Sequence, residues 1–241
     1  MRIAVVSDVH GNLAALEAVV ADIRRAAPDL VVHGGDAAVI GPRPAEVVDR
    51  LRELGWPGVA GNTDEMLWDG SVRAEQERRA PKLLAWLDVL FGSLGPWAAG
   101  RLGEDRIEWL RAQPLEQRRE GIRVVHARPG DLWRAPMPDA GDEELSATYG
   151  GAGVRVSVYG HIHRPFVRAL AGLTVANSGS VGLPWDGDPR PSYVLVDDGA
   201  AEVRRVAYDL DLARRELADA GFPLSDWLAS VQRDGRFVRP A

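Results

Sequence analysis

Short unbroken apolar runs alternate with helically spaced stripes along the first quarter of the chain. "RIAVVSD", residues 2–8, predicts a buried strand, and the stretch after it places Leu13, Leu16, Val19, Val20 and Ile23 on one helical face. "DLVVHGGD" predicts a second strand, "PAEVVDRLRELG" a second helix and "PGVAGN" a short third strand. That cadence is α/β, with parallel strands near the start.

From Thr63 to about Gln113 the pattern changes to helix and loop, with "KLLAWLDVLFGSL" and "GEDRIEWLRAQ" as the clearest helical pieces. Strands then return as "GIRVVHA", "VRVSVYG", "FVRAL", "LTVANSG", "SYVLVD" and "AEVRRVAY", separated by Gly, Pro or Asp turns. "DLDLARRELADAG" predicts a late helix, and the last residues, "GRFVRPA", are expected to fray. The expectation is one domain over residues 1–241, interrupted by a helical insertion at about 63–113.

Composition narrows the chemistry. At 241 residues and 46% hydrophobic content the chain can bury a substantial core. A net charge of −6 without a long basic run gives nonspecific nucleic-acid binding no help. The absence of cysteine excludes disulfide scaffolds, thiolate zinc sites and cysteine nucleophiles, so a metal site must use His, Asp, Glu or Asn. The first apolar run is broken by Ser7 and Asp8, too early for a signal peptide or a membrane span, and a cytoplasmic protein is the default expectation.

The polar residues that matter directly follow predicted strands. "SDVHG", "GGD", "AGN", "VVHA" and "YGHIH" supply Asp8, His10, Asp36, Asn62, His126, His161 and His163. Strand ends are where α/β folds build sites. Within "YGHIHRP", an extended backbone would point His161 and His163 to the same side. Singly these signals are ordinary, because an Asp after a strand is commonly a turn or cap residue and Gly61-Asn62 is a turn signal. Their conjunction is less so, since four of the five histidines stand at strand ends beside Asp or Gly. His33 lies inside its strand and reads as a core or edge residue.

Seven imidazole and oxygen donors exceed one ordinary site and suit two divalent cations sharing a carboxylate, at about 3.5–4 Å spacing. Asp36, reached through Gly34 and Gly35, is the natural bridge. Gly11, Gly35, Gly61 and Gly160 suit tight turns and close approach of backbone to the site.

The ordered set D-x-H, G-D, G-N-x-[D/E], a lone His and G-H-x-H resembles the calcineurin-like metallophosphoesterases. "GDAAVIGPRPAEVVDRL" and "NSGSVGLPWDGDPRPSYVLVD" look like segments of the small bacterial phosphodiesterase branch of that family. The resemblance implies a sandwich of two mixed β-sheets flanked by helices, an α/β (α+β) fold with the helical insertion beside the cleft. It further implies that Asp8, His10, Asp36 and His163 hold one metal, and that Asp36, Asn62, His126 and His161 hold the other. A hydroxide bridging two such cations stays nucleophilic at neutral pH, and no side-chain nucleophile is needed. Manganese is the expected activating ion, with Fe, Zn, Co and Ni compatible with the donors.

Three departures bear on substrate. Many phosphatases of the family carry His after the Gly-Asn pair, where this chain has Thr63, a poor general acid near neutral pH. That favours diesters or anhydrides over monoesters, unless Asp64 compensates. Arg128, beside His126, reads equally as a phosphate clamp or as a salt-bridge partner of Asp131. Arg43 and Arg164 are weaker clamp candidates. Trp68, Trp86, Trp97 and Trp109 read as core anchors of the insertion, whereas Trp133 and Trp185 follow loops near the site and could stack on a nucleobase.

The leading expectation is therefore a metal-dependent phosphodiesterase acting on a small nucleotide-like diester or polyphosphate. Asp36, Asn62 and His126 would support the chemistry, and Arg128, Asn62 and Trp133 would contact substrate. The alternatives are a phosphomonoesterase or serine/threonine protein phosphatase and, in another class, a non-catalytic binding scaffold on the same fold.

Overall fold

The computed structural model describes residues 1–240. Along the chain, β1 (Arg2–Val6), α1 (Leu13–Ala26), β2 (Leu30–His33) and α2 (Pro44–Leu54) come first. The helical stretch follows as α3 (Asn62–Glu65), α4 (Val72–Arg79), α5 (Leu84–Val89), α6 (Gly95–Leu102) and α7 (Glu104–Arg111). β3 (Glu116–Arg119), β4 (Ile122–Val125), α8 (Asp142–Tyr149), β5 (Val156–Tyr159), β6 (Phe166–Leu170) and β7 (Leu173–Asn177) come next. β8 (Ser192–Asp197), β9 (Ala200–Arg205), α9 (Leu210–Ala220) and α10 (Ser225–Asp234) complete it.

Two mixed sheets result, with strand orders β2-β1-β8-β9 and β3-β4-β5-β7-β6. β1 runs parallel to β2 and antiparallel to β8. In the second sheet, β4, β5 and β7 are mutually parallel, and β3 and β6 close the edges antiparallel.

Strand alternation explains the layering. Ile3 and Val5 of β1 meet Val124, Val156 and Val158 between the sheets, while Ala4 and Val6 face the opposite way and pack against α1 and α2. On the outer face of the second sheet, Val125, Tyr159 and Val175 pack against Leu145 and Tyr149 of α8. The expected sandwich of two mixed sheets with flanking helices is thus observed.

The helical stretch Pro81–Leu102 is long and apolar enough by composition to cross a bilayer. In the fold its Leu90, Leu94 and Ala98 row packs into a core shared with α9 and α10. Its path widens into a π-turn at Leu90–Leu94, just ahead of Pro96, whose ring removes one helical donor.

Three local expectations change. "PGVAGN" forms only a single bridge, Gly58 beside His33, because Pro57 has no N–H to offer and the turn into α3 begins at Gly61. β3 has no apolar alternation to announce it, and it exists because β4 offers an edge to pair with. Helices α4, α8 and α10 complete elements that the apolar pattern left as loop or tail.

Candidate active site

The backbone at the strand ends is unusual before any side chain is considered. Asp8, His10, Asp36, His161 and His163 all have φ between 48° and 64°, the left-handed region. That conformation costs an ordinary L residue about 1–2 kcal/mol, and Asp and His tolerate it better than most. His161 and His163 are therefore not extended, as the spacing suggested, and they converge because both turn left-handed in the loop after β5. Such clustering of strain marks sites whose surroundings hold them in place.

Two glycines make that packing feasible. A Cβ on Gly61 would run into the backbone nitrogen and carboxylate of Asp36, and one on Gly160 into the carboxylate of Asp8.

The imidazoles are oriented from behind. Nδ1 of His10 lies 2.7 Å from the Val39 carbonyl, Nδ1 of His163 2.7 Å from that of Leu183, and Nδ1 of His126 2.8 Å from that of Gly34. A carbonyl only accepts, so each Nδ1 carries a proton, and each ring when neutral presents a bare Nε2 lone pair inward.

Those lone pairs face other acceptors. Nε2 of His10 and Nε2 of His163 are 3.1 Å apart, and Nε2 of His163 is 3.1 Å from Asp8 Oδ1. Nε2 of His126 is 2.8 Å and Nδ1 of His161 2.9 Å from Asn62 Oδ1. The carboxylate of Asp36 spans both halves, with Oδ2 3.7 Å from His10 Nε2 and Oδ1 3.6 Å from His126 Nε2. Asp8, His10 and His163 form one compact donor group, and Asp8, Asp36 and His126 an overlapping one.

Acceptors in such contact need protons or cations between them. Burial opposes protons at His10 and His161, pushing each down to about 4. At His126 burial acts the same way but is outweighed by the charges of Asp36 and Asp8, so its proton affinity is raised. For Asp8, burial alone would raise the carboxyl, yet the charges of His163, His126 and His10 hold it well below the usual range. The donor set thus fits divalent cations in its size, its oxygen and nitrogen composition and its preset tautomers.

The site opens into a cleft of about 790 Å³. His10, Asp36, Asn62, Thr63, His161 and His163 line one end, with Asp8 and His126 buried behind them. The helical stretch supplies Leu83, Trp86, Leu87 and Leu90 to the opposite wall. Trp185 lines it too and stacks on His163 at 3.9 Å between ring centroids.

Other expected residues fall in several places. Thr63 reaches the cleft and its hydroxyl has no hydrogen-bond partner, while its backbone N–H donates to Asp36 Oδ1 at 2.8 Å. Asp64 is buried and does not line the cleft. Its carboxylate accepts from the backbone N–H of Ala37 and Ala38, bracing the loop behind Asp36. Burial first, and then the charge of Asp36, push Asp64 up to about 7.

This placement carries a prediction. Asp64→Asn keeps a side-chain acceptor for Ala37 and should hold diester kcat within a few-fold, against the about 10²–10⁴-fold loss expected of a removed general acid. Steady-state assay at neutral pH decides, and a drop in kcat of that size would return Asp64 to the chemistry.

Arg128 lines the cleft but donates to Asp131 at 3.0 Å, so its charge is already paired. Arg164 lines the cleft without an ion pair among the described residues, whereas Arg43 sits away from it with Glu46 and Glu216. Trp133 lines the cleft and donates through Nε1 to Glu65 at 2.6 Å. His33 is buried and stacked on Trp109, pushed down to about 4 by burial, and lies outside the site. Trp68, Trp97 and Trp109 anchor core, while Trp86 anchors core and lines the cleft. Sequence reasoning missed Gln76 and Phe237, which also face the cleft, because neither stands near a motif.

A fold of two mixed sheets with Asp, His and Asn donors gathered at strand ends defines a metallophosphoesterase. The family model of the calcineurin-like phosphoesterase superfamily domain matches residues 1–199, and the chain belongs to that family. It is accordingly a hydrolase of phosphoric ester bonds.

An uncharacterized protein of Methanocaldococcus jannaschii, MJ0912, is 30% identical over 94% of this chain and 95% of its own length. Phosphodiesterase YfcE of Escherichia coli is 26% identical over 84% of this chain and 91% of its own. Among solved structures, a metallophosphoesterase from Sphaerobacter thermophilus shares 26% identity, with a TM-score of 0.77 over 98% of this chain and 99% of that one. A hypothetical protein from Pyrococcus horikoshii, PH1004, shares the fold at a TM-score of 0.81, 18% identity and the same coverages.

Proposed function

We propose that this protein is a metal-dependent phosphodiesterase with two divalent cations, acting on a small nucleotide-like diester or polyphosphate. The observation that carries the reading is the set of carbonyl-fixed imidazoles whose Nε2 lone pairs meet other acceptors, at 3.1 Å between His10 and His163. Asp8, His10, Asp36 and His163 would hold one cation, and Asp36, Asn62, His126 and His161 the other. When bound, the cations supply Lewis acidity toward phosphoryl oxygens and a nucleophile from water at neutral pH.

The chain's own residues do the rest. Asp36 links the two halves through its two oxygens. The carbonyls of Val39, Leu183 and Gly34 fix the ring tautomers, so no ring need reorganise during turnover. Arg164, without an ion pair among the described residues, is a guanidinium available to the non-reacting part of an anionic substrate. Thr63 occupies the position from which a leaving alkoxide would need a proton and supplies only a hydroxyl. That supports diesters with acidic leaving groups, and the name of the E. coli relative supports the same reaction.

Hydrolysis of bis-p-nitrophenyl phosphate beside p-nitrophenyl phosphate, with chelator-stripped protein before and after adding Mn²⁺, tests this. Diester turnover is expected only with metal, and should exceed monoester turnover. Monoester preference would establish a phosphomonoesterase instead. Silence on both across Mn, Fe, Zn, Co and Ni would sink the catalytic reading in favour of a scaffold.

A further inference from the structure

One polar side chain in the cleft has no role in the metal chemistry. Helix α4 is highly charged, and it turns only Val72 and Gln76, one helical turn apart, inward. Gln76 is 4% exposed, yet its amide makes no hydrogen bond to the described residues and lines the cleft. Its neighbours on that wall, Leu83, Leu87 and Leu90, offer it nothing polar. The residue is nearly enclosed while its amide tip opens to the cleft, so a water or a ligand completes its hydrogen bonds there.

The surroundings suit a flat ligand. Trp133 is held by its bond to Glu65 and backed by Phe91, with the rings 14° from parallel. Trp86 is fixed by Phe237 and Trp227 at centroid distances of 5.2 and 5.5 Å. Phe237, from the segment after α10, also packs against Trp185 and lines the cleft. Aromatic and aliphatic walls with a few polar side chains among them, Gln76 included, suit a pocket that orients a flat organic ligand.

We infer that Gln76 is a specificity-determining residue that reads the hydrogen-bonding edge of a planar heteroaromatic group, of nucleobase type, carried on one ester arm of the substrate. A carboxamide offers a donor and an acceptor side by side, which matches the adjacent acceptor and donor on a base edge. Apolar walls alone would accept any aryl group, whereas an amide that a bound ligand covers discriminates against groups that leave it unpaired. This assignment rests on the phosphodiesterase reading above, whose failure can be told apart from its own.

The test compares p-nitrophenyl esters of the four nucleoside 5′-phosphates with p-nitrophenyl phenyl phosphate, in Mn²⁺, for the wild type and Gln76→Met. The leaving group is the same throughout, and only the retained arm differs. At least one nucleoside ester should exceed the phenyl ester in kcat/KM by about tenfold or more in the wild type. Gln76→Met should erase about 10–100-fold of that preference, mainly through KM, with the phenyl ester unchanged within a few-fold. If Gln76→Met does not fold, Gln76→Glu decides, since it keeps an acceptor and loses the donor. A changed order among the bases supports the inference, and an unchanged order overturns it.

Equal turnover of all esters, or a Gln76→Met effect shared by the phenyl ester, would show that only water meets the amide and would overturn the assignment while leaving the phosphodiesterase intact. No metal-dependent turnover of any ester would overturn both.

Discussion

Asp36→Ala is expected to lower diester kcat/KM by about 10³-fold or more. Its two oxygens each approach an imidazole of a different half, His10 at 3.7 Å and His126 at 3.6 Å. Removing them disconnects the two proposed cation positions rather than weakening one. The loss should not come from unfolding, because the substitution also removes a buried negative charge, and strained, charged sites commonly trade stability for activity. Two measurements check this: steady-state turnover, and metal content per chain by elemental analysis. The variant should retain fewer than two cations, with a melting temperature in chelator no lower than that of the parent. Full turnover with both cations retained would refute the shared-carboxylate arrangement.

Thr63→His should raise turnover of alkyl phosphate monoesters by up to about 10²–10⁴-fold, while p-nitrophenyl phosphate changes little. The position is suited to the exchange. Thr63 lines the cleft, its hydroxyl has no partner to lose, and its backbone N–H rather than its side chain holds Asp36. An imidazole there would face the leaving oxygen and supply the proton that a hydroxyl gives up poorly. Diester turnover with p-nitrophenolate leaving should change little, since that group departs without help. The pH profile is the sharper readout: a new limb above neutrality, on the side where the imidazolium is lost, should appear in alkyl monoester kcat. Absence of both the rise and the limb would mean that Thr63 does not set the substrate preference.

Much of the site was legible because metal chemistry restricts residue type and strand ends restrict position. Asp8, His10, Asp36, Asn62, His126, His161 and His163 each follow an apolar run, and the structure gathers all of them. The reason given for the His161–His163 pair was wrong in its geometry, because a left-handed backbone leaves no trace in residue spacing. Asp36 and Asp64 are both carboxylates close to Gly-rich turns. Only packing shows that one faces the cleft and the other caps the backbone behind it.

By itself the sequence determined most of the sheet-forming segments, the candidate donor residues, the absence of thiol chemistry and the family, since these depend on residue type, periodicity and local order. Tertiary structure alone decided how those pieces act. It set the order of strands in each sheet, the carbonyls that fix three imidazole tautomers, and the cleft that Gln76, Trp86 and Phe237 line together. Each of these joins residues far apart in the chain, through contacts that no local pattern of hydrophobicity or charge encodes.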